Sequence, residues 1–494
     1  MKVGFLACRP EGATRYSGVA SLRSFPDILK DARNLGIFAP APSGSSLRSS
    51  AHSWLALIVA FASSPVLAAD PQLPVGPLKE VAGLIKSETL KADIDKLVSF
   101  GTRHTLSSPN DAKRGIGASR AWAKSEFEAI AKQCGGCLTI MTPTDSVSGN
   151  RIPQPVEIVN VLAVQKGETD PNRVVIISGH IDSRVTDVMD AEHDAPGAND
   201  DGSGTAAVIE AARALSHKKF AATIVYAVLT GEEQGLYGGK LLAKTAKEQG
   251  WQVEAQLNND IIGNVEGLNG KIDRDHFRLF SEGTKASETE AEAKRRRLVG
   301  GEIDSPSRNL ARLVADLTTA VLPEMHPKLI YRADRFGRGG DQAPLQEAGY
   351  PAIRITEAAE NYHRQHQDLR SENGIAYGDV AAGVDIPYLT LMTKVNVVAL
   401  ADMAWAPAPP PEVRIEGAVS DDTALSWAAS PGASGYWVRW RETDASAWQQ
   451  KKFTADPQIV MKDWVVDDWA FGIASVSAQG FVSPTTFAAA PPAK

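Results

Sequence analysis

From Val156 onward, short apolar runs alternate with amphipathic stretches. Val174-Val175-Ile176-Ile177 and Thr223-Ile224-Val225-Tyr226-Ala227-Val228-Leu229 have almost no polar interruption, the pattern of strands covered on both faces. Gln256 to Ile262 and Ala352 to Thr356 read as further strands. The Ala-rich Thr205 to Leu215 and the segment Tyr237 to Lys247 read as helices. This alternation predicts an α/β fold, a three-layer sandwich around a mostly parallel central sheet. Before it, residues 70–150 read as largely helical, with Ile116, Ala123, Phe127 and Ile130 at helical spacing. Residues 265–305 are polar and read as an excursion near the site. Leu310, Leu313, Val314, Leu317 and Val321 then restore a helix.

The C-terminal pattern is different. Ala406-Pro407-Ala408-Pro409-Pro410-Pro411 has the composition of an extended linker, set here at residues 405–412. Beyond it come short alternating strands rich in aromatics, predicting a small β-sandwich over residues 413–494. Trp427, the Tyr436-x-Val438-x-Trp440 strand and the strand from Gly472 to Gln479 resemble a fibronectin type III module. The expected role of this module is that of a spacer or stabilising domain.

The 494 residues are too many for one typical domain. A composition of 43% hydrophobic and 22% charged residues is ordinary for a soluble globular protein, and a net charge of -7 offers no basic footprint for nucleic acid. Lys294-Arg295-Arg296-Arg297 follows an acidic stretch and reads as a solvated face. The apolar run Trp54 to Ala62, preceded by Arg48 and followed by Val66-Leu67-Ala68, is too short for a membrane span. It reads as a secretory signal peptide cut after Ala68 or Ala69. That predicts a secreted or periplasmic protein with no membrane span in its mature form. Residues 1–69 are then leader plus signal. No methionine lies between Met1 and Met141, so translation is expected to start at a non-ATG codon near Leu47. Export suits Cys134-Gly-Gly-Cys137 as a small disulfide. The alternative is a redox Cys-x-x-Cys motif.

Five metal-binding residue types fall at predicted strand ends: His180, Asp200, Glu233, Asp260 and a late histidine. Asp182, two residues after His180, is placed to hold its other ring nitrogen. Asp200 opens a helix with two oxygens free to bridge cations. Adjacent Glu232 and Glu233 divide the work, one on a metal and one facing the attacking water. Asp260 ends an apolar strand, where an uncompensated carboxylate is costly. Each residue alone has an ordinary structural explanation; their order along the chain points to one site.

These residues resemble the M28 family of co-catalytic zinc aminopeptidases over roughly residues 85–400, in particular its bacterial, exported members. The resemblance implies a catalytic domain at 70–404 and two zinc ions per chain. It makes His180, Asp200, Glu233, Asp260 and a late His the ligands, with Asp200 bridging and Glu232 the general base. It further implies a cis peptide between Asp200 and Asp201. Asn361-Tyr362-His363-Arg364-Gln365-His366-Gln367-Asp368 offers two late histidines. The family's Tyr-His spelling points to His363, and the Gln-His-Gln core of bacterial relatives to His366, the preferred ligand. Where the family has a histidine after Gly-Asp, this chain has Gln342 after Gly340-Asp341, a change expected to affect substrate contacts and not the metal set. His104, in Phe100 to Thr105, is read as structural. The expected substrates are peptides with a free N-terminus. The same fold also serves carboxypeptidases and glutaminyl cyclases, and a non-catalytic binding protein is a further alternative. N-terminal sequencing of the exported protein should give a start immediately after Ala68 or Ala69; a mature chain beginning at Met1 would remove the signal-peptide reading.

Overall fold

The computed structural model describes residues 70–491, so the leader, the signal peptide and its cleavage point lie outside the described residues. Eight strands form the central sheet. Their spatial order is Leu138–Met141, Val161–Gln165, Ala222–Leu229, Asp170–His180, Gln252–Asn259, Ala352–Glu357, His276–Phe280 and His326–Ile330. The four middle strands, from Ala222–Leu229 to Ala352–Glu357, run parallel. Antiparallel joins flank them on both sides. The sheet is therefore mixed, with four parallel strands at its centre and a second parallel pair, His276–Phe280 and His326–Ile330, at one edge. Part of the reason is local: residues 166–169 are too few for a parallel crossover, which needs about a dozen residues, so Asp170–His180 must reverse direction.

Two elements depart from the sequence pattern. The polar stretch 265–305 contains a strand of the central sheet, His276–Phe280, where buried Phe277 and Leu279 alternate with His276 and Arg278. The stretch 70–150 holds helices Val75–Ala82, Ser87–Val98 and Gly115–Gln133, but also strands Leu138–Met141 and Thr144–Gly149. The spaced residues Ile116, Ala123, Phe127 and Ile130 are all buried, as their period requires. Cys134 and Cys137, just past that helix, are joined in a disulfide. Among the described residues, no helix is long and apolar enough to cross a membrane.

Helix Gly202–Leu215 lies directly under the sheet, with every residue but Arg213 buried. Its Ala-rich sequence follows from that position, and its glycines from the closeness of approach. A Cβ at Gly179 would fall 2.6 Å from the Gly204 carbonyl carbon, and one at Gly204 would fall 2.6 Å from the Asn259 carbonyl oxygen. Helix Ile386–Trp405, which the sequence pattern did not reveal, is buried around most of its circumference and so shows no polar face to mark its period.

The C-terminal β domain corrects the expected two-sheet sandwich. Its seven strands form one near-closed sheet. Thr486–Ala490 joins the two halves, pairing with Trp469–Val476 on one side and Val413–Glu416 on the other. Trp427, Tyr436, Val438 and Trp440 lie in its core, as their alternation predicts. The proline-rich stretch is held from both sides: Arg173 Nη2, in the body, donates to the Ala406 carbonyl at 2.5 Å, and Thr486 Oγ1, in the β domain, to that of Pro410 at 2.6 Å. The basic run sits on helix Glu290–Val299, where Arg296 pairs with Glu288 and Arg295 donates to the Ala489 carbonyl.

The β domain is fastened by a buried ion triad. Asp304, fully buried, meets Arg312 Nη1 at 2.6 Å and Arg441 Nη2, from the β domain, at 2.5 Å. Trp405 stacks 4.9 Å from Phe481 and from Phe220, linking the same two regions. Asp304→Ala should therefore lower unfolding stability by about 3–5 kcal/mol, the range for stranding buried charges. Urea unfolding checks it, and a change under about 1 kcal/mol would remove the triad from this role.

Candidate metal centre

The parallel strands all point their carboxyl ends to one edge, and the candidate side chains gather there. His180 is the last residue of Asp170–His180, Glu232 and Glu233 lie in the turn after Ala222–Leu229, and Asp260 follows Gln252–Asn259. Asp200 lies two residues before helix Gly202–Leu215, joined by a cis peptide to Asp201, the residue that caps it. His366 comes from the loop after Ala352–Glu357, with a positive φ of 51°.

The side chains form two adjoining groups: His180, Glu232 and Asp260, and Asp200, Glu233 and His366. In each, the potential ligand atoms lie within 4.8 Å of one another. Asp200 joins the groups. Its Oδ1 lies 3.4 Å from His180 Nε2, and its Oδ2 lies 3.0 Å from His366 Nε2. His366 Nε2 is also 2.9 Å from Glu233 Oε1, and His180 Nε2 is 4.0 Å from Asp260 Oδ1. His363 is elsewhere, its ring packed 4.9 Å from that of Tyr377.

Buried groups behind these side chains hold them in place. Asp182, fully buried, accepts from the backbone N–H of Glu232 and Glu233 and from Thr105 Oγ1, and its carbonyl lies 3.1 Å from His180 Nδ1. It thus fixes the histidine and the acidic turn together. Asp201 accepts from the backbone of His180 and Gly204. Asp379 accepts from the backbone of Asn199 and Asp200. Fully buried Arg103 donates to the carbonyls of Ile181, Pro196 and Gly197. Arg184 donates to Glu233 Oε2 at 2.9 Å and places Nη2 2.6 Å from His366 Nδ1. Sequence reading missed Asp201, Asp379, Arg103, Arg184 and Arg354. Only Asp201, beside Asp200, carried a local signal, as the first residue before a helix.

His104 is structural, as expected: buried, with Nδ1 accepting from the Leu106 N–H and Nε2 2.9 Å from the Val188 carbonyl. Gln342 is fully buried, donating to Asp334 Oδ2 at 2.6 Å and accepting from Asn258 Nδ2.

Packing so many acids together perturbs them strongly. Burial, then Glu233, Asp260 and Asp341, drive the Glu232 carboxyl well above its ordinary range. Burial pushes Asp341 and Asp379 each up to about 7. Burial opposes ionisation of Asp200 as well, but His366 and His180 outweigh it and hold Asp200 well below the usual range. Burial by itself would lower His366; Glu233 and Asp200 reverse this and push it up to about 10. His180 likewise lies well above the ordinary imidazole value, because Asp182 and Asp200 outweigh its burial. The centre demands positive charge.

A metal ion fits that demand. His180 Nε2 is buried, has no hydrogen-bond partner and faces carboxylate oxygens of Asp200 and Asp260. Imidazole nitrogen and carboxylate oxygen are the donor types of catalytic zinc sites.

Comparison with known proteins agrees. The model for "Peptidase family M28" matches residues 160–384. A fungal protein from Pyrenophora teres f. teres, described as "Probable zinc metalloprotease", is 43% identical over 423 residues, covering 84% of this chain and 88% of that one. A Leptosphaeria maculans protein of the same description is 43% identical over 418 residues, covering 83% and 97%. The chain belongs to peptidase family M28, and it is a zinc metallopeptidase. Similar solved structures include the Legionella pneumophila LapA aminopeptidase, 19% identical with a TM-score of 0.48, covering 71% of this chain and 80% of that one. Another is Porphyromonas gingivalis glutaminyl cyclase, 15% identical with a TM-score of 0.44, covering 64% and 98%. The expectation of bacterial kinship is corrected: these sequence relatives are fungal.

Zinc and protons compete for the same imidazoles. In the metal-free protein, His366 carries a proton at pH 7. Its folded pKa is raised, so the stability it contributes is complete below about pH 6.5 and fades as pH rises toward about 10. Zinc uptake at pH 7 should therefore release protons, and zinc affinity should rise with pH. Calorimetry in buffers of different ionisation enthalpy reads this directly; uptake without proton release would contradict the imidazole assignment.

Proposed function

We propose that the chain is an exported two-zinc aminopeptidase, removing N-terminal residues from peptides. The observation that carries the two-metal part is the division of Asp200, whose two oxygens face two different histidines. In this reading His180, Asp200 and Asp260 hold one ion, and Asp200, Glu233 and His366 hold the other. Bound zinc supplies Lewis acidity and lowers the pKa of water at neutral pH. The Glu232 carboxylate takes a proton from the attacking water and delivers it to the leaving amine. Asp182 fixes the ring of His180 and the turn that presents Glu232, so the base and the first ligand share one support.

The excess of buried carboxylate favours a substrate end that carries an ammonium group. One observation favours a carboxypeptidase instead: the guanidinium groups of Arg184 and Arg335 border the centre, and either suits a terminal carboxylate. Mass spectrometry of defined peptides, free, N-acetylated or C-amidated, separates the readings. Stepwise N-terminal loss from unblocked peptides supports the aminopeptidase. C-terminal loss blocked by amidation supports the carboxypeptidase, and a mass drop matching cyclisation supports a glutaminyl cyclase.

Glu232→Gln should keep its zinc and lose about 10²–10⁴-fold in turnover, the range for a removed general base. Turnover within threefold of the parent would exclude Glu232 from that role. Asp200→Asn should empty or scramble both metal positions, and two full zinc equivalents by elemental analysis would contradict the bridge.

A further inference from the structure

A chain of buried polar side chains runs from Gln342 to Asp260. Asp260 turns Oδ1 toward His180 and gives Oδ2 to Arg354 Nη1 at 2.7 Å. Arg354 is fully buried, on the strand Ala352–Glu357 beside Gln252–Asn259, the strand that Asp260 follows. The same Nη1 lies 3.5 Å from Asp334 Oδ2. That oxygen is the one that accepts from Gln342, the residue standing where the family carries histidine. Arg335 adds a second cation 4.0 Å from Asp260 Oδ2, but it also serves Asp334 and Glu360.

The other half of the centre also meets an arginine, on different terms. Arg184 contacts Glu233 and His366 Nδ1, and its side chain is 16% exposed. An imidazole that gives Nε2 to a cation keeps its proton on Nδ1, so Arg184 must then leave Nδ1, and solvent is open to it. Arg354 has no such exit, and its Nε already lacks a partner. Its charge therefore stays beside any cation on Asp260.

Resting on the two-zinc reading, we infer that Arg354 makes the His180–Asp260 half the weaker zinc site, and that Asp334 tempers this effect by sharing the guanidinium. Arg354 is a positioning residue: it holds Asp260 to one-oxygen presentation and opposes the second cation. A fixed charge a few ångströms from a divalent ion changes affinity by at least about tenfold even at an effective dielectric near 20.

The test is a chelator-buffered zinc titration of the metal-free protein, read as bound equivalents by elemental analysis and as heat by calorimetry. The parent should bind two zinc ions in steps at least about tenfold apart. Asp260→Asn should erase the weaker step and keep the tighter. Arg354→Met should tighten the weaker step about tenfold or more. Asp334→Asn should loosen it severalfold, because Arg354 then serves Asp260 alone; this variant decides the matter if Arg354→Met does not fold. Two equivalents with the weaker step unmoved in the folded Arg354 or Asp334 variant would overturn the inference, as would loss of the tighter step in Asp260→Asn. A single equivalent in the parent at saturating zinc would instead overturn the two-zinc reading itself.

Discussion

Mutual repulsion among buried carboxylates is the constraint on which this structure turns. Asp182, Asp200, Asp201, Glu233, Asp260 and Asp341 are all buried at one sheet edge, with Glu232 half-buried beside them. Such a cluster is tolerable only when cations or protons are interleaved with it. The neighbouring acids push His180 and His366 toward their charged forms, Arg184, Arg335 and Arg354 pair with the cluster, and burial drives Glu232 and Asp341 upward. A metal centre is the arrangement in which the same groups are all satisfied at once.

The scaffold answers this constraint by rigidity. Gly179 and Gly204 bring strand and helix into backbone contact, which fixes His180 and Asp200 relative to each other. Asp201 ties the start of that helix to the backbone of His180, and Asp379 holds Asp200 from the other side. Arg103 gathers four carbonyls beneath them, those of Leu97, Ile181, Pro196 and Gly197. Each anchor is buried, so none can relax into solvent and let the like charges separate. The β domain belongs to the same rigid design, because Asp304 and Trp405 bind it to the body through buried contacts.

Much of this was legible in the chain. The parallel strands announced themselves as apolar runs because they are covered on both faces, and the acids that follow them were conspicuous because polar groups rarely terminate such runs without a reason. What escaped was either hidden in polar sequence or defined only by partners far along the chain. Strand His276–Phe280 is short and interleaves His276 and Arg278 with its buried residues, so its signal drowned in its surroundings. Helix Ile386–Trp405 is buried nearly all round and has no stripe to show. Arg354 and Asp379 look like any charged residues in sequence; their meaning comes from Asp260 and Asp200, each nearly a hundred residues or more distant.

The sequence by itself therefore determined the fold class, the zinc-peptidase family and the residues available at the strand ends. Local pattern suffices for the fold class and the strand-end residues, because periodicity is a property of neighbouring positions, while the family came from the resemblance of the motifs that carry those residues. Only the tertiary structure decided that His366 rather than His363 reaches the cluster, that Gln342 points inward to Asp334, and that the sheet is mixed. It alone showed the two β-halves closing through one strand. These depend on which distant segments meet, and that is settled by packing and charge compensation across the whole chain.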